Sequence, residues 1–421
     1  MNHPWKAGAA SVVITPTEPM WLAGWAARRQ PAFGKAMDLF VKVLALEDAS
    51  GGRVVIVTAD LIAIPRSLAM KVATQAQACW KLSREQLLFN ASHTHTAPEV
   101  RPDKVPYFEI PSEFAVKIEP YTAQLEKSIL AAIQAALKKL EPAELRAHQF
   151  TAVFAVNRRS PQDVVDHDVP VLEITGRSGK PLAILFGYAC HNLVLPPSFC
   201  EFHGDYAGRA KQILEERIPG ATVVFLAGAG ADQNPSPRGT LELVQVHGKT
   251  LADLIAKGIS ADGRTVGGEL RAAFEEIDLE LQPLPSKEAL QANLKSDDAP
   301  RRRKADILLK ALAGKRALPT HLPCAVQVLR FGNEVLLIAL AGEPVVDFAR
   351  RFKSEFTGPL VWVAGYSNDM FGYLPTRRVL QEGGYEGGRA TLWSALPTPL
   401  AESAEERVVE TVKRLAREVG C

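Results

Sequence analysis

With 421 residues, 47% of them hydrophobic and 23% charged, the chain can bury a sizeable core and lacks the composition of a disordered polypeptide. Its formal charge is only +2, and the basic residues are scattered except for Arg301, Arg302, Arg303 and Lys304, so no nucleic-acid partner is expected. No stretch reaches 18 uninterrupted apolar residues, which argues against a transmembrane helix.

In chain order, the start (Met-Asn-His-Pro-Trp-Lys) has no basic segment followed by an apolar run, so no signal peptide is expected. Strands are predicted at Leu39 to Leu46 and Val54 to Thr58, then a helix from Arg66 to Trp80 and a strand at Leu87 to Ala91. A helix at Tyr121 to Leu140 is followed by strands at Val171 to Thr175 and Ala183 to Tyr188. Next come a helix at Ala207 to Glu216, a strand at Val223 to Ala227 and a helix at Gly239 to Ile259. The segment from about 283 to 319 is rich in Lys, Arg, Asp and Ala without apolar alternation. It reads as an exposed helical insertion within one catalytic unit spanning residues 1–421, with Arg301 to Lys304 as a solvated face. Strands at Ala325 to Phe331, Val335 to Ala341 and Leu360 to Ala364 and a helix at Ala404 to Val419 complete an α/β pattern of sheets flanked by helices. Cys79, Cys190, Cys200, Cys324 and Cys421 are odd in number and widely spaced, which points to free thiols in a reducing cytoplasm.

Four polar clusters fall at the ends of predicted strands, where α/β proteins build sites. His93-Thr94-His95 follows the Leu87 run; in extended backbone its two imidazoles point the same way and can supply a metal ligand and a neighbour for proton transfer. His191 follows Ala183 to Tyr188, and Glu343 follows Val335 to Ala341, just before a helix expected near Val345. The loop Gly365 to Tyr373 carries Asn368, Asp369 and Tyr373, with Tyr385 twelve residues further on. Taken singly, each has an ordinary structural explanation: a polar turn, a core histidine, a helix-start carboxylate, a packing tyrosine.

Together these residues resemble the neutral/alkaline non-lysosomal ceramidase catalytic domain, and the match runs along nearly the whole chain. Ile14-Thr15-Pro16 and Gly24-Trp25 are similar to the family's opening, and Leu39 to Asp48 with Val54 to Asp60 to its first strand pair. His93 to Pro98 resembles its Thr-His-Thr-His-Ser-Gly-Pro run, and Asn157-Arg158-Arg159-Ser160-Pro161 its Asn-Arg-Ser-Pro segment. His191, Gly204-Asp205, Gly342-Glu343, and Asn368-Asp369 with Tyr373 and Tyr385 complete the ordered set. The resemblance implies zinc held by His93, His191, Glu343 and Tyr373, with His95 beside it, Arg158 or Arg159 on the substrate, and Tyr385 polarising the scissile carbonyl. Carboxylate and phenolate ligands would also accept manganese or iron.

One departure bears on mechanism. The family carries a serine in a Gly-Asp-x-Ser-Pro-Asn-like run, where this chain reads Ala229-Gly230-Ala231-Asp232-Gln233-Asn234-Pro235, so Asn234 stands at the serine position. An amide can orient a water or a substrate oxygen but is no nucleophile. The chain also ends after the last family motif, and is read as a short relative without the family's Ig-like C-terminal domain. The expected activity is therefore hydrolysis of an amide bond in a small molecule more polar than ceramide, by metal-activated water. His95, Asp232 or Asp205 would accept the water's proton. Asp205 and Asp232 also have readings as a helix cap and a turn residue. Hydrolysis of an ester, lactone or glycosidic bond, or a non-catalytic metal-binding role, are the competing functions.

Overall fold

The computed structural model describes residues 4–160, 162–259 and 263–421; Met1–His3, and Pro161 of the Asn157–Pro161 run, lie outside the described residues. A strand that is apolar on every residue must be covered on both faces, and that requirement organises the molecule. In strands Phe40–Asp48 and Arg53–Ala59, Val41, Val43, Ala45, Val55 and Val57 pack against Leu68 and Val72 of helix Arg66–Trp80 and Ile129 and Ile133 of helix Ile118–Lys138. The alternate residues Leu44, Leu46, Val54 and Ile56 turn the other way, against Leu329, Leu337 and Trp362 of a second sheet.

The first sheet has nine strands. Eight run in the spatial order Thr222–Ala227, Pro181–Tyr188, Asp168–Gly176, Glu141–Thr151, Trp5–Val13, Phe40–Asp48, Arg53–Ala59, Leu87–Ala91, and Arg264–Val266 pairs with Glu141–Thr151. The second sheet is Leu270–Glu280, His321–Phe331, Val335–Leu340, Leu360–Ala364. Its outer face is covered by helices Val346–Glu355 and Ala404–Glu418 through Phe348, Phe352, Val408 and Val412. Helices Asp205–Arg217 and Leu241–Gly258 cover Ile184, Phe186, Val223 and Phe225. The mixed α/β architecture expected from the sequence is the one observed. Each fully buried Leu, Ile, Val or Phe contributes about 1.5–3 kcal/mol, so these layers dominate stability.

Strands Glu141–Thr151 and Leu270–Glu280 are not among the predicted elements, because both alternate charged or exposed residues with apolar ones. The 283–319 segment does form helices, Lys287–Asn293 and Ala299–Ala313. However, Arg301 to Lys304 is not a uniformly solvated face. Helical periodicity places Lys304 on the same side as Ala305 and Leu308, where it is buried and donates to the Ser394 carbonyl at 2.7 Å, while Arg303 donates to the Tyr107 carbonyl at 3.0 Å.

Within the two large sheets, three pairs of neighbouring strands among the described residues run parallel: Arg53–Ala59 with Leu87–Ala91, Pro181–Tyr188 with Thr222–Ala227, and Val335–Leu340 with Leu360–Ala364. Bridges Asn90↔Ser367 and Gly228↔Ala364 join the two sheets where these strands end. The loops leaving both sheets are thereby brought together.

Candidate metal centre and active site

His93 lies two residues beyond strand Leu87–Ala91, with φ of 60°, in the left-handed region that a non-glycine residue adopts at an energetic cost. Its backbone N–H is held by the Leu61 carbonyl at 2.9 Å. His191 follows Pro181–Tyr188 and donates its N–H to the Gln233 carbonyl at 2.8 Å. Glu343 opens a two-residue strand that pairs in parallel with Tyr373–Leu374, and its N–H reaches the Gly372 carbonyl at 2.8 Å.

The side chains converge. His93 Nδ1 lies 2.8 Å from the Ile62 carbonyl and His191 Nδ1 2.9 Å from the Gly230 carbonyl. A carbonyl only accepts, so both Nδ1 atoms carry the proton and both Nε2 atoms present lone pairs. Those lone pairs meet Glu343 Oε2, at 3.3 Å from His93 Nε2 and 3.4 Å from His191 Nε2, while His95 Nε2 is 3.3 Å from His93 Nε2. Acceptors crowded on acceptors call for a cation between them, and Glu343 Oε2 is buried without a hydrogen-bond partner. Separations of about 3.3–3.4 Å are those between ligands of a tetrahedral ion bound at roughly 2.0–2.1 Å. The buried group His93, His95 and His191 could therefore hold a metal ion.

Electrostatics agree. Burial, then the Arg158 charge, pulls His191 down to about 4, and burial holds His95 well below the ordinary imidazole value, so both stay neutral and able to coordinate. Burial alone would push the Glu343 carboxyl up; positive charge on His93 and His191 would outweigh it and hold the group well below the usual carboxylate range, and with both imidazoles neutral that part falls to a cation between them.

His95 Nδ1 is buried and unpartnered. Gly24 makes room for it: with φ of 87°, a Cβ at this residue would sit 2.3 Å from His95 Nδ1. Trp25 packs edge-on against the same imidazole at 5.7 Å.

Of the two candidate arginines, Arg158 faces the site. Its Nη2 donates to the Tyr373 hydroxyl at 2.8 Å, its Nη1 lies 3.5 Å from Asn234 Oδ1, and its guanidinium sits 5.6 Å from the Tyr385 ring centre. Arg159 turns toward the Gly383 carbonyl, Glu382 and Glu386. Glu386 binds Arg158 Nε at 2.7 Å and Arg159 Nη1 at 3.0 Å, tying the Gly383–Gly388 loop to both arginines. No spacing in the sequence marks Glu386. Tyr373 and Tyr385 rings meet edge-on at 5.4 Å, with Tyr385 43% exposed and reachable from solvent.

The two aspartates are differently employed. Asp205 accepts the N–H groups of Val194, Leu195 and Tyr206 at 2.7–3.1 Å, and Asp232 accepts from Val346 N at 2.9 Å and from Asn157 Nδ2 at 3.3 Å. Neither lines the cavities described below, and both carboxylates hold loops in place.

Two cavities adjoin the cluster. An outer cleft of about 830 Å³ is lined by Trp25, Arg158, His191, Asn234 and Tyr385, and an inner recess of about 90 Å³ by His93, Glu343, Arg101 and Lys104. His95, Tyr373, Tyr385, Glu386 and Trp393 are among the residues that line both. Ser236 is exposed and lines neither. The aliphatic hydroxyls lining the recess, Thr391 and Ser394, each donate to a backbone carbonyl of the 388–391 turn. Cys190 is buried and its thiol is pushed well up by burial, so it presents no thiolate.

The model of the neutral/alkaline non-lysosomal ceramidase N-terminal domain matches residues 5–230, just over half of the chain. Neutral ceramidase from Pseudomonas aeruginosa superposes with a TM-score of 0.78 at 18% identity, covering 100% of this chain and 76% of that one. A ceramidase complexed with C2 superposes at 0.77 and 17% identity, covering 99% and 75%. No curated protein sequence matches. Fold and site together define an enzyme of the hydrolase class. The chain belongs to the neutral/alkaline non-lysosomal ceramidase family. No helix among the described residues is long and apolar enough to cross a membrane.

Proposed function

We propose that the protein is a zinc-dependent hydrolase that cleaves an amide bond of an N-acyl compound, with water as the nucleophile. The observation that carries this reading is the convergence of two backbone-locked imidazole lone pairs and the unpartnered Glu343 oxygen on one buried point. His93, His191 and Glu343 hold the ion, Tyr373 completes the set, and His95 stands beside it. Bound there, zinc supplies Lewis acidity and lowers the pKa of water. Among the residues lining the cavities, no serine is free to act as nucleophile, which supports direct attack by water. Asn234 orients that water and His95 accepts its proton. Arg158 and Tyr385 donate to the carbonyl oxygen as negative charge develops on it, and Glu386 keeps Arg158 aimed. Because both sheets contribute to this site, residues 1–421 act as one catalytic unit. All five cysteines are free thiols, which supports a reducing compartment such as the cytoplasm.

Metal analysis of the wild type beside His191→Ala and Glu343→Ala, with a panel of N-acyl and ester compounds, tests this. About one zinc per chain, lost in both variants together with amide hydrolysis, is the expected result. A wild type without metal would overturn the ligand set, and turnover confined to esters would move the substrate class.

A further inference from the structure

Two buried cations in the inner recess carry N–H donors that their neighbours do not satisfy. Arg101 and Lys104 line it and are each only 5% exposed. Arg101 forms a fork with Glu99, Nε to Oε1 at 2.7 Å and Nη2 to Oε2 at 2.9 Å, and Glu99 also takes the N–H groups of Val100 and Arg101. Glu99 is thus fully engaged, while Arg101 Nη1 has no hydrogen bond among the described residues. Lys104 is less well served: its ammonium has one carbonyl, that of Trp393, at 3.4 Å, and the half-exposed Asp103 carboxylate at 4.0 Å. An ammonium has three N–H donors, so at least two are unmet in a buried wall. Burial, then the Arg101 charge, pulls Lys104 down to about 8. Lys304 adds a third cation nearby, but its ammonium already serves the Ser394 and Leu396 carbonyls. The two buried carboxylates that also line the recess are engaged elsewhere, Glu343 by the imidazole cluster and Glu386 by Arg158 and Arg159, so the unmet donors of Lys104 and Arg101 are left in want of an acceptor.

We propose that the inner recess is a carboxylate-binding subsite, and that the substrate is an N-acyl amino acid whose carboxylate is held by Lys104 and Arg101 Nη1. This rests on the amide-hydrolase reading above. A carboxylate matches two separate single donors through its two oxygens, and the small recess suits one such group. The outer cleft, with Trp25, Phe108, Leu193 and Trp393 on its walls, takes the acyl chain. His95, Tyr373 and Trp393, shared by both cavities, put the scissile amide beside the donor cluster. There the water oxygen bonds to the acyl carbon, the C–N bond breaks, and the amino acid nitrogen takes up a proton. A carboxylic acid and a free amino acid leave.

The test compares N-octanoylglycine with its neutral isostere N-octanoylglycinamide on the metal-replete wild type, Lys104→Met and Lys104→Arg. Hydrolysis is followed by release of glycine or glycinamide, and binding by calorimetry. The wild type is expected to favour the carboxylate by about 30-fold in kcat/KM or Kd, Lys104→Met to shrink that preference below about threefold, and Lys104→Arg to restore most of it. A wild type indifferent to the carboxylate overturns the proposal, and so does a preference that survives Lys104→Met. The wild-type comparison stands without any variant, so a poorly folding Lys104→Met does not shelter the idea. Selective binding of the carboxylate with neither compound hydrolysed would uphold the subsite and overturn the amide-hydrolase reading instead.

Discussion

Glu343 and Asp205 are both buried carboxylates, 6% and 1% exposed, the first opening a two-residue strand and the second a helix. Their surroundings nonetheless shift them in opposite directions. Asp205 accepts three backbone N–H groups, yet no positive charge stands close and desolvation wins, pushing it up to about 6. Glu343 lies against two imidazole nitrogens, and positive charge there, on the rings or on a cation held between them, reverses the same penalty. The lesson is that burial alone does not mark a site. A scaffold carboxylate has its lone pairs taken by the backbone, whereas a ligand carboxylate has lone pairs aimed at other lone pairs.

The sharpest way to break this contrast is to remove each carboxylate in turn. Glu343→Ala should abolish stoichiometric metal binding and lower kcat/KM by at least about 10³-fold while the fold persists, since no backbone group depends on that side chain. Metal analysis with circular dichroism on the same sample reads both. Asp205→Ala should do the reverse. Three buried N–H donors would lose their acceptor at a cost of roughly 3 kcal/mol, read as a lowered denaturant midpoint, while the folded fraction keeps its metal. Metal loss in Asp205→Ala without destabilisation would erase the distinction.

Within the site itself, the same reasoning separates groups that hold the ion from those that act on substrate. Tyr385→Phe should keep full metal content and lose about 10²-fold in kcat, the usual cost of one oxyanion donor. Tyr373→Phe should weaken metal binding more than His95→Ala does. Equal metal loss in both would instead place His95 in the ligand set, as its 3.3 Å separation from His93 Nε2 allows.

The parts of the molecule legible in the sequence are those whose signal is local. Strands covered on both faces read as unbroken apolar runs, and His93, His191 and Glu343 announce themselves by ending such runs. Strand Leu270–Glu280 does not, because its charged face carries no apolar continuity. Arg158 and Arg159 are adjacent and both line the outer cleft, so only the path of strand Ala155–Asn157 and the position of Glu386 decide which one reaches Tyr373 and Asn234. Arg101 and Lys104 sit in an irregular polar stretch without a motif, and both are buried, Lys104 against the Trp393 carbonyl, distant in sequence. The family resemblance suggests a ligand set, whereas the burial of Arg101 and Lys104 arises from tertiary packing.

The smallest effect expected concerns pH, and it again turns on whether a lone pair is engaged. His203 is 2% exposed, and its Nδ1 accepts the Asp205 N–H at 2.8 Å, a bond that exists only in the neutral imidazole. Burial pulls its pKa from 6.5 down to about 4. The unfolded chain therefore takes up a proton near pH 6.5, while the folded chain resists until about pH 4. Because the folded pKa is depressed, stability is lost as pH falls through that window and is untouched above it. By linkage the loss reaches about 2 kcal/mol at pH 5. His203→Asn keeps an acceptor for the Asp205 N–H but cannot titrate. Denaturant midpoints of wild type and variant, both metal-saturated, should run parallel above pH 7 and diverge by that amount at pH 5, the variant falling less. Parallel curves down to pH 5 would mean that His203 protonates freely in the folded chain, and that its bond to Asp205 is not what holds the loop.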